Sequence, residues 1–150
     1  MKPLDDAKTI ETNTKLENDM NTERDEWNEK VINLVGMLKD NKKLSEAQVF
    51  QLSYRQQVQE RLVIYKNLLE KRQAIFDRQT VARYREYTVG YDVKLNSNEK
   101  DKFVGADYAP LKQQISMIRN QITYFEECVK TLDNFGFAVR NKIEIISQQI

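Results

Sequence analysis

The apolar positions beyond residue 110 carry the strongest pattern in the chain. Leu111, Ile115, Ile118, Ile122, Phe125, Val129 and Leu132 step by four, three, four, three, four and three, the spacing of a helix with one apolar seam. Pro110 suits the first helical position, where a missing amide proton costs nothing. The register continues through Gly136, Val139, Ile143, Ile146 and Ile150, which predicts a single helix over residues 110–150. Gly136 then costs about 1 kcal/mol in propensity but lets a neighbouring backbone approach closely. The alternative is a helix-loop-helix with Gly136 as a C-terminal cap.

Two more helices follow from the same periodicity. Met20, Trp27, Val31, Leu34 and Leu38 form one stripe after a start at Thr22 and Asp25, predicting a helix over 22–40. Ser45 and Gln48 make a capping box, flanked by Leu44 and Val49 at staple positions. Neither proline nor glycine then interrupts the chain before Gly90, so a long helix is predicted over 45–87. There the period changes. Val89, Tyr91, Val93 and Leu95 alternate with polar or small residues, Asn96–Asn98 read as a turn, and 103–110 reads as a second extended piece or a loop, so a short extended or hairpin element is expected over about 88–108. Residues 1–20 are acidic and poor in periodic apolar positions, which predicts a flexible arm ahead of a single helical domain over 21–150. The fold class is mainly α.

Long helices with apolar seams cannot bury them alone. The isoleucine-rich seam lacks a polar residue to fix a dimer, and Phe125 is bulky for a two-stranded core. Leu111, Ile115, Ile118, Ile122, Phe125, Val129, Leu132, Val139, Ile143 and Ile146 are therefore the candidate oligomerisation residues of a homo-oligomer larger than a dimer.

Charge alters this picture of a plain bundle. The net charge of +1 conceals nine acids against five bases in residues 1–30 and seven bases against three acids in residues 61–90. The basic stretch holds Lys71, Arg72, Arg78, Arg83 and Arg85 beside Tyr84, Tyr87 and Tyr91, with Lys94 just beyond. Cations among aromatic rings suit single-stranded nucleic acid, whose phosphates take the cations and whose unstacked bases take the rings. A solvated helix face with tyrosines turned to the core has the same composition.

Candidate chemistry is sparse. With no histidine and one cysteine, Cys128, the usual zinc spacings and an intrachain disulfide cannot be built, and a reducing compartment fits. No nucleotide-binding glycine loop or nucleophile elbow is present. No enzyme, metal or cofactor is expected. No apolar run is long enough to span a bilayer and the N-terminus lacks the apolar core of a signal peptide, so a soluble intracellular protein with no membrane partner is expected.

The run YFEECVKTLDNFGFAVRNKIEI, residues 124–145, resembles the UvsY family of recombination mediators of T4-like phages, in which a periodic helix leads through a Lys-x-Ile/Leu spacer into Gly-Phe-Ala-Ile-Lys. Lys130, Leu132, Gly136, Phe137, Ala138, Val139 and Arg140 stand at those positions. VARYREYTVG resembles the family's Lys-Ala-Arg element and VKLNSNEKD its apolar stretch with a serine and acidic turn, so the likeness covers residues 78–150. Val81 stands where the family has lysine, and Phe135 where it has arginine. The resemblance implies a non-enzymatic homo-oligomer, in the cytoplasm of an infected bacterium. Its partners would be single-stranded DNA, a phage recombinase and a phage single-stranded-DNA-binding protein, and it would load the recombinase onto the coated strand. Arg83 is the binding residue carried by the motif; Arg78, Arg85 and Lys94 join it by charge and proximity. The competing reading is a structural coiled-coil assembly or adaptor protein of a virus, without nucleic-acid binding, whose basic face pairs with another subunit's acidic arm.

Overall fold

The computed structural model describes residues 6–90 and 94–149. It consists of four α-helices: α1 (Asp6–Gly36), α2 (Leu44–Val89), α3 (Ser97–Asp107) and α4 (Ala109–Gln148), with two 3-10 turns, Met37–Lys39 and Asn41–Lys43, between α1 and α2. No strand occurs among the described residues. α4 runs unbroken through Gly136, as its uninterrupted register predicts.

Three segments depart from the expected organisation. Residues 6–20, expected as a flexible arm, are helical and continue into the predicted first helix. Their side chains are mostly exposed, but Asn13 is buried and its Nδ2 donates to the Pro110 carbonyl at 2.7 Å. A polar anchor of this kind leaves no apolar period to read. The expected second extended piece is also helical: α3 starts at a capping box in which the Asn96 side chain accepts from the Glu99 amide at 2.8 Å and the Glu99 carboxylate accepts from the Asn96 amide. The Asn-Ser-Asn run is thus a helix start rather than a turn. Of the expected first strand, Val89 closes α2 and Tyr91, Asp92 and Val93 lie outside the described residues. α2 itself begins at Leu44, where a 3-10 turn hands over, and Val49 is exposed rather than stapled to Leu44.

The chain forms two compact units. Unit 1 comprises residues 1–18 and 66–120, and unit 2 comprises 19–65 and 121–150. Unit 2 buries Trp27 and Leu34 of α1, Val58, Leu62 and Tyr65 of α2, and Phe125, Leu132, Phe135 and Val139 of α4. Tyr65 stacks on Phe125 with ring centroids 5.8 Å apart, and its hydroxyl donates to Glu23, which also receives Arg61 in a bidentate pair. Burial, reinforced by the bond to Glu23, pushes the Tyr65 phenol up to about 12. Gly136 faces the Gln51 side chain, not a backbone: a Cβ there would lie 3.0 Å from Gln51 Nε2, which donates to the Leu132 carbonyl. Unit 1 centres on Tyr87, Val104 and Tyr108, with Phe76, Tyr84, Leu95 and Leu111 packed around them.

Candidate nucleic-acid interface

The basic stretch of α2 belongs to unit 1 from Lys66 onward, and helix geometry sorts its cations into two sets. Lys71, Arg78 and Arg85 are spaced by seven residues and all exposed. Two helical turns bring each about 10 Å along the axis and about 20° round it from the last, so the three make one row. Exposed Ala74, Val81 and Ala82 share that face. Glu70 and Asp77, each one residue ahead of a cation, sit about 100° away, and Asp77 accepts from Gln73. Lys94, beyond the end of α2, is also exposed.

The second set turns inward. The Arg83 side chain is only 12% exposed; its Nε donates to Asp107 at 2.9 Å and its Nη1 to Glu86 at 2.9 Å. The hydrogen bond to Asp107 raises the guanidinium's pKa despite the opposing effect of burial. Tyr87 is buried and donates its hydroxyl to the same carboxylate at 2.5 Å, while the Arg83 guanidinium lies over its ring. Tyr84 packs on the unit 1 core with Lys100 over its ring. Arg72 is half-buried. Tyr91 lies outside the described residues.

Of the nine sequence-selected residues, then, four present their charge to water, and Arg83, Tyr84 and Tyr87 form structural contacts within unit 1. Sequence reasoning missed Asp107, which organises those contacts from 24 residues away, because no local spacing signals an ion pair of that range. It also missed Phe103, whose ring is 47% exposed and stacked on Tyr87 at 5.6 Å. It lies on the far side of α2 from the cation row, since Tyr87 follows Arg85 by two residues, about 200° of helix.

The α4 seam serves the chain's own cores. Ile115, Ile118, Ile122, Phe125, Leu132 and Val139 are buried, and Leu111, Val129, Ile143 and Ile146 half-buried, without a second subunit. Exposed apolar side chains occur instead on α2 in unit 2, where Val49, Leu52, Gln56, Gln59 and Val63 repeat at three and four residues, with the three apolar members 66%, 61% and 58% exposed.

Among the described residues no group of three His, Cys, Asp or Glu is placed to hold a metal, and no helix is long and apolar enough to cross a membrane. Cys128 is buried, and burial pushes its thiol up, away from the thiolate. Comparison with protein-family models, curated proteins and solved structures returned no match.

Proposed function

We propose that the chain is a non-enzymatic single-stranded-DNA-binding protein that acts as a homo-oligomer, a recombination mediator of the kind its C-terminal half resembles. The observation that carries this reading is the row of Lys71, Arg78 and Arg85, three exposed cations along one face of a rigid helix. A straight row of like charges with no carboxylate in it fits an extended polyanion, and the small residues between the cations let a backbone approach. The recombinase and the strand-coating protein are the partners that the sequence resemblance implies.

Fluorescence anisotropy with a labelled oligothymidylate tests the reading. Binding is expected to weaken steeply between low and moderate salt, with a log–log slope near −0.7 for each phosphate contact. A chain that binds no oligonucleotide at low salt instead acts as the structural assembly protein.

The α2 row in unit 2 supports self-association. Val49, Leu52 and Val63 have the spacing of a coiled-coil seam, and a seam of this kind is complementary to a copy of itself in register. Gln56 and Gln59 at its centre can pair across such an interface. Multiple copies repeat the cation row along one strand, which raises avidity without any new type of contact. Sedimentation equilibrium is expected to show an oligomer that Leu52→Glu dissociates; unchanged mass in that variant places the interface elsewhere.

A further inference from the structure

Unit 1 contains a cavity of about 310 Å³ lined by residues of three helix segments, among them Lys8 of α1, Arg72 and Ile75 of α2, and Tyr108, Pro110 and Leu111 where α3 meets α4. One side chain in it is exceptional. Among the described residues five arginines are partly withdrawn from water: Arg24, Arg55, Arg61, Arg72 and Arg83. Three of them rest on carboxylates, Arg55 on Asp133, Arg61 on Glu23 and Arg83 on Asp107, and Arg24 donates to the Asn21 side chain. Arg72 makes no hydrogen bond or ion pair among the described residues, and its Nε is fully buried.

A guanidinium keeps its charge at any ordinary pH. Withdrawing its Nε–H from water without an acceptor forfeits the hydration of that donor and gains nothing in return, whereas each of the other four arginines meets a side-chain oxygen. At Arg72 no described residue supplies such an oxygen, which leaves the group available to an anionic ligand. The rest of the lining narrows its chemistry. Lys8 adds a second positive group, and Asp107, the one carboxylate of the lining, already accepts from Arg83 and Tyr87, so the lining carries a net positive charge that favours phosphate over a neutral ligand. Ile75, Pro110, Leu111 and the buried Tyr108 supply an apolar wall, which inorganic phosphate would leave unused. The volume is at the small end of the range for organic ligands, and a ligand with one anionic group and one flat apolar body fits the lining on both counts.

We propose that the cavity receives one nucleotide of the bound strand, its phosphate against Arg72 and its base against the wall of Ile75, Pro110 and Leu111. The proposal rests on the strand-binding reading above and adds a seat for a base, which the cation row lacks. In a single strand the cost of turning one base out of the stack is small.

The test uses the full chain, labelled with nitrogen-15 and titrated at low salt with thymidine 5′-monophosphate. Amide shifts are expected to gather on residues 8–12, 72–79 and 107–114, and thymidine or inorganic phosphate alone should bind at least about tenfold more weakly, since each supplies half of the interactions. Arg72→Gln should weaken the nucleotide about tenfold or more and Arg72→Lys restore part of the affinity, because lysine keeps the charge without the fork. Arg72→Gln should melt no lower than the parent, because it removes a buried donor that has no partner in the fold. With the oligothymidylate, Arg72→Gln should lower the salt slope by roughly one.

Equal binding of inorganic phosphate and the nucleotide overturns the proposal, as does an Arg72→Gln variant that binds both ligands like the parent. In that second case, loss of oligonucleotide binding on changing the α2 row would leave the strand reading standing. Arg72-dependent binding of the mononucleotide by a chain that binds no oligonucleotide overturns the strand reading and identifies the ligand as a free nucleotide.

Discussion

Asp107→Ala is expected to destabilise the fold by about 3 kcal/mol, the lower end of the cost of breaking a buried ion pair. The carboxylate accepts from Arg83 Nε and from the Tyr87 hydroxyl, so its removal takes an acceptor from two donors at once. Arg83 retains Glu86, whose side chain is half exposed and gives a weaker pair; the hydroxyl of buried Tyr87 is deprived of this acceptor. Arg83→Met keeps the length of the side chain and leaves Asp107 with Tyr87, and is expected to cost less. Urea denaturation followed by circular dichroism measures both. An Arg83→Met variant that is as stable as the parent and yet fails to bind DNA would show that Arg83 acts on the strand, as the sequence motif implies, and that its bonds to Asp107 are incidental.

Charge reversal along the row, Lys71→Glu with Arg78→Glu and Arg85→Glu, is expected to lower oligonucleotide affinity at least about a hundredfold at low salt. Each reversal both removes a cation from the phosphates and adds a repulsive charge, and the effects accumulate along one polyanion. Stability should change little, because all three side chains are exposed and none is ion-paired among the described residues. Replacement by alanine should be milder and lower the salt slope by about one for each cation replaced. If the triple reversal binds like the parent, the row is a solvated surface and the strand lies elsewhere.

The contrast between Arg83 and Arg85 shows how far sequence reaches in this chain. Both are arginines beside tyrosines, two residues apart, and composition cannot rank them. What separates them is the direction each takes from α2, which depends on where Tyr87, Val104 and Tyr108 pack. α4 is legible because its seam repeats over almost its whole length, so even Gly136 does not break the signal. α3 buries only Val104, too little to make a period, and the alternation of Val89 to Leu95 masks the Asn-x-x-Glu helix start that follows it. The N-terminal part of α1 is illegible for a related reason: Asn13, its one buried residue before Met20 among those described, is polar. The seam of α4 announces a covered face, but it does not say what covers it, since periodicity is blind to whether the cover comes from the same chain or from another copy.

The Asn13 to Pro110 bond joins residues 97 apart in sequence, and this bears on how the protein is made. Unit 1 draws on both the first helix and the start of the last, and unit 2 on residues up to 150. A ribosome delivers about 5–20 residues each second, so for several seconds α1 and α2 exist with their apolar faces synthesised and α4 still to come. Closing so large a loop is slow relative to local helix formation. Through that interval the apolar residues that α1 and α2 bury in the finished fold, Trp27, Leu34, Val58 and Leu62 among them, have yet to meet α4.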